Sequence, residues 1–126
     1  MSSLARTVSS TATVHRLPVD ALAIDLSLVT QHGRSSRTVV KQGPLRLTLV
    51  ELAPGGTLPE HTSEGPLSIH VLRGHATITA DAQDYVLCSG DVLVLASGVK
   101  HSAFAELGVL FLLSLVHSED SSSPAD

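Results

Sequence analysis

Seven histidines among 126 residues are the side chains here best suited to chemistry. Imidazole titrates near neutrality and binds transition metals, so where the rings fall matters more than their number. His15 and His32 lie in the N-terminal part, and His117 closes the last apolar segment. His61, His70, His75 and His101 lie within or beside the apolar segments between them. The single cysteine, Cys88, excludes an internal disulfide; set among Leu and Val, it is expected to be a small core residue.

The elements that must position these side chains are short. From Arg37 onward, segments rich in Val, Leu, Ile and Thr recur between Gly and Pro punctuation, as at Gly43-Pro44, Gly65-Pro66, Gly74, Gly90, Gly98 and Gly108. Leu45, Leu47 and Leu49 alternate with Arg46 and Thr48, and Leu67, Ile69 and Val71 alternate with Ser68 and His70. Such alternation in many short segments predicts an all-β sandwich or barrel. The expected strands run over 37–42, 45–53, 57–62, 67–73, 75–80, 85–87, 91–95, 101–104 and 109–116, with a turn at Gly74. Ahead of them, Val19, Leu22, Leu26 and Val29 share one helical face behind Pro18, and Gly33 ends the segment. The expected layout is a polar tail over 1–16, an arm over 17–36 with a short helix, a β-domain over 37–117 and a polar tail over 118–126.

Composition narrows the function. Between Thr30 and His117, six Lys or Arg face seven acids, and much of the net charge of −4 sits in the C-terminal tail. Without a basic stripe, nucleic-acid binding has no electrostatic support. Tyr85, Phe104 and Phe111 are the only aromatics, so base-stacking platforms are scarce too. No wholly apolar run exceeds five residues, far short of the roughly 20 a spanning helix needs. The first fourteen residues are Ser/Thr-rich without a leader's apolar stretch, so a cytoplasmic setting is expected.

Two spacings in this β-region resemble the paired motifs of the cupin superfamily. Gly55, five residues, His61-Thr62-Ser63, Leu67 and then six residues to Gly74 follows the first motif; Gly90 through Ala96-Ser97-Gly98 to His101 follows the second. The resemblance covers roughly residues 38–116 and implies a double-stranded β-helix, or jelly-roll, barrel. Of the four residues that usually hold a cupin metal, it carries over His61 and His101; the second motif-one His is Ser63, and the Glu is Leu67. The motif-two Pro and Asn are Ala96 and Ala105.

Strand parity fills in the surroundings. With Leu67 at the inward Glu position, Ile69 and Val71 also point inward and His70 outward. The resemblance implies either that His61 and His101 are ligands of a divalent ion (Zn, Fe, Mn or Ni) or that they are polar pocket residues hydrogen-bonded to each other, to Ser63 or to water, with Ser63, Glu64, Leu67 and Ile69 lining the pocket. Glu64 sits in the turn after Ser63, from which it could swing toward the site, whereas Glu60 has the opposite parity to His61. His75 is expected to face solvent, and the pocket to be aliphatic.

Three functional readings follow from the resemblance. The first is a small stand-alone cupin that binds a small molecule. The second is a metal-dependent enzyme of dioxygenase or isomerase type. The third is a non-catalytic dimeric sensor module. Strand 91–95 is apolar on both faces, which leads us to expect a homodimer.

Overall fold

The computed structural model describes residues 13–28 and 30–117. Residues 1–12 of the expected N-terminal tail, the expected C-terminal tail at 118–126, and Val29 on the helical face lie outside the described residues. The chain is mostly β, a curled antiparallel half-barrel with one short N-terminal helix. Its elements are α1 (Val19–Leu28), β1 (Arg34–Gln42), β2 (Leu45–Leu52), β3 (Gly56–His61), β4 (Leu67–Ala80), β5 (Gln83–Cys88), β6 (Val92–Leu95), β7 (His101–Ala105) and β8 (Val109–Val116).

One strand organises both sheets. The first half of β4 pairs with β8 and β6, with β2 and β1 beyond β8; its second half pairs with β5 and β7, with β3 beyond β7. The turn expected at Gly74 is therefore a corner inside one fourteen-residue strand. A register shift between Val71 and Arg73 bends the chain there. Gly74 adopts φ +81, and a β-carbon on it would lie 2.5 Å from the Gly108 carbonyl oxygen, so only glycine lets the two segments cross. The turn signal was genuine, but it marked a change of sheet and no chain reversal.

Alternation places the core. Leu67, Ile69, Val71, Ala76, Ile78 and Ala80 of β4 point between the sheets, where they pack with Val50, Leu52, Phe111 and Leu95. Burying each large aliphatic side chain contributes about 1.5–3 kcal/mol. A second cluster lies on the outer face of β1, β2 and β8, where Leu22, Ala23 and Leu26 of α1 cover Val39, Val40, Leu49 and Leu110. Parity also corrects the expectation for Cys88. With Leu87 buried, Cys88 is turned to the opposite face and is exposed.

Candidate functional site

β3 and β7 bring two imidazoles together from 40 residues apart in sequence. His61 ends β3 and is the register partner of His101, which begins β7. β3 is a terminal strand of the sheet order, so Pro59 is tolerated within it. A register irregularity between Leu58 and His61 re-aims the strand just before the ring. The ring centroids stand 4.2 Å apart, with the planes tilted at 60°.

Backbone carbonyls set the protonation of both rings. His61 Nδ1–H donates to the Pro59 carbonyl at 2.8 Å, and His101 Nδ1–H donates to the Val99 carbonyl at 2.9 Å. A carbonyl can only accept, so in each neutral ring Nδ1 holds the proton and Nε2 keeps the lone pair. Metal-binding histidines are commonly oriented in this way. His101 is 5% exposed, and burial holds its pKa below the ordinary 6.5. The Val99 hydrogen bond opposes that shift, while the nearby His61 adds to it. His101 is therefore neutral at pH 7, the form that coordinates metals.

The rings line a narrow cavity between the sheets, together with Leu67, Ile69, Ile78 and Phe111. Its free volume is about 10 Å³, room for roughly one water-sized sphere. Phe111, 1% exposed, is the lining residue that the aliphatic expectation missed. The signal was available in the inward phase of β8, which Val109 and Leu113 share.

Ser63 and Glu64 stand outside this lining, in the loop between β3 and β4. That loop spends its polar groups on closing the barrel end. Ser63 Oγ donates to the Gly65 carbonyl at 3.0 Å, its carbonyl accepts Gly98 N–H at 2.9 Å, and the Glu64 carbonyl accepts the Ser97 hydroxyl. A β-carbon on Gly65 would collide with the Val116 carbonyl, which holds the loop flat against β8. The Glu64 and Glu60 residues are exposed, and His70 is half-buried with the opposite phase to Ile69. Among the described residues no group of three or more His, Cys, Asp or Glu gathers in metal-binding geometry. The site thus offers two imidazole donors.

Comparison with known proteins agrees with this architecture. Residues 48–108 match the family described as Cupin domain. A conserved protein of unknown function from Streptococcus pyogenes is similar in structure, with a TM-score of 0.66 and 26% identity over 89% of this chain and 95% of that one. A cupin superfamily protein from Desulfitobacterium hafniense superposes with a TM-score of 0.68 and 20% identity, over 90% of this chain and all of that one (100%). Salicylate 1,2-dioxygenase from Pseudoaminobacter salicylatoxidans gives a TM-score of 0.73 at 20% identity, covering 92% of this chain and 36% of the enzyme. No curated protein matches the sequence significantly. Residues 48–108 thus carry a Cupin domain match, and the chain has the fold of cupin proteins. Among its described residues no helix is long and apolar enough to cross a membrane.

Proposed function

We propose that this protein binds a small molecule at the barrel mouth through a divalent ion shared by His61 and His101. The carrying observation is the pair of tautomer-locked rings 4.2 Å apart, each leaving Nε2 as the available nitrogen. Two imidazoles leave an ion's remaining positions to water or to donor atoms of a ligand. The cavity behind the rings is too small for a metabolite, so a ligand would approach from the side where His61 is exposed. Leu67 at the usual carboxylate position removes an anionic ligand and a general base, which favours binding over turnover.

We further propose a homodimer. Val92 and Val94 of β6 are 54% and 69% exposed beside Ser68 and His70 of β4, an exposed apolar strip at a sheet edge suited to a second copy.

The test is metal content of untagged protein by mass spectrometry, with His61→Ala and His101→Ala alongside. Stoichiometric Zn, Fe, Mn or Ni that disappears in both variants supports the reading. Metal retained in both would overturn it, as would its absence after reconstitution with each ion.

A further inference from the structure

A cavity much larger than the one behind the histidines lies outside the barrel. A groove of about 510 Å³ runs between α1 and the loops around Pro54 and Leu107, within the usual range for small-molecule sites and far above the barrel cavity. Ile24 of α1 and Leu107 form exposed apolar walls on either side. Three of its lining residues form a cross-strand row: Glu51 of β2 pairs with Leu110 of β8, which pairs with Arg73 of β4. Two inter-strand spacings put the Glu51 and Arg73 backbones roughly 10 Å apart, with Leu110 between them.

The two charges are held differently. Glu51 is half-buried, and its Oε1 accepts the Ser27 hydroxyl at 2.6 Å and the Thr30 hydroxyl at 3.5 Å, which fixes the carboxylate at the groove's helix side. Among the described residues Arg73 is paired with the exposed Asp20, at 3.8 Å, a contact of little energetic weight. A carboxylate and a guanidinium thus flank an apolar strip, the guanidinium having little to lose by exchanging its partner.

We propose that this groove is a second ligand site, for a small zwitterion whose ammonium meets Glu51, whose aliphatic spacer lies between Ile24 and Leu107, and whose carboxylate meets Arg73. Opposite charges at the two ends fix the ligand's direction, and neither end group alone satisfies both. The site shares no residue with the His61–His101 pair, so the two proposals stand or fall separately.

Calorimetric titration of the full chain with 6-aminohexanoate, hexanoate and hexylamine tests this. The zwitterion should bind saturably, with each single-charge analogue weaker by roughly tenfold or more, as expected for loss of one charge-assisted contact. Glu51→Gln should bring the zwitterion down to the level of hexanoate, Arg73→Gln should bring it down to that of hexylamine, and His61→Ala should change nothing. Equal affinity for all three probes in the wild-type protein would overturn the proposal whatever the variants do. Absence of saturable binding would do the same. So would self-association abolished by Arg73→Gln, since a second copy would then fill the groove.

Discussion

His61 and His101 are direct partners across β3 and β7, yet one ring is exposed and the other almost wholly buried. Their contributions to stability should differ accordingly. His101→Ala removes a buried ring and strips the Val99 carbonyl of its donor, which should cost about 1–3 kcal/mol. His61→Ala at the exposed position should stay within about 0.5 kcal/mol. Urea unfolding in the presence of a chelator separates these effects from metal binding. Equal losses would show that the two positions share one environment.

Acidification should act through the same buried ring. Burial lowers the His101 pKa in the folded protein, whereas the unfolded chain keeps the ordinary value near 6.5. Above pH 6.5 the ring is neutral in both states and adds no slope. Below it the unfolded chain takes up the proton first, so stability falls, and the loss levels off once the folded ring protonates at its lower value. The difference in unfolding free energy between wild type and His101→Asn should shrink between pH 7 and pH 5. A constant difference over that window would contradict the assignment.

Much of the fold was legible because period-two alternation is a strong signal: Leu67, Ile69 and Val71 point inward as their spacing requires. The family resemblance supplied the pairing of His61 with His101, which no local pattern could give. What escaped the sequence depended on tertiary choices. Ser63 and Glu64 sit at motif positions, but the Ser63 hydroxyl closes on Gly65 and the backbone carbonyls of both residues bond the loop carrying Ser97 and Gly98. Cys88 reads as core by composition and is turned outward by the phase of Leu87. At Gly74 the composition shows that the chain bends, and only the partners of β4 show which way it goes.

That corner gives a sharp comparison. Gly74 and Gly43 both have positive φ, at +81 and +54, but only Gly74 meets a neighbouring backbone. Ala at either position meets left-handed strain of about 1–3 kcal/mol or less. Gly74→Ala must also displace the Gly108 carbonyl, so its loss should be the larger. Thermal unfolding of the two variants side by side checks this; a Gly43→Ala loss equal to or above that of Gly74→Ala would remove the corner's special role.

Phe111 supplies the largest buried side chain between the sheets. Phe111→Ala should cost roughly 3–5 kcal/mol. It should also enlarge the cavity from its present volume of about 10 Å³ enough to admit an apolar probe such as benzene. Urea unfolding with and without benzene measures both effects. A loss below about 1 kcal/mol would mean that the surrounding chains collapse into the space.

The outer face of β6 is where the proposed homodimer is tested. Leu93 and Leu95 are committed to the core, so the strand's alternation forces Val92 and Val94 outward, where α1 does not reach. Apolar side chains left on a sheet face gain by pairing with a second copy. Val94→Lys would place a charge in the middle of that contact, at a position already 69% exposed, so the monomer itself should tolerate it. Light scattering should give a dimer mass for the wild-type protein and a monomer for Val94→Lys, with unchanged circular dichroism. A wild-type monomer independent of concentration would overturn the homodimer, and a dimer that survives Val94→Lys would move its interface to another face.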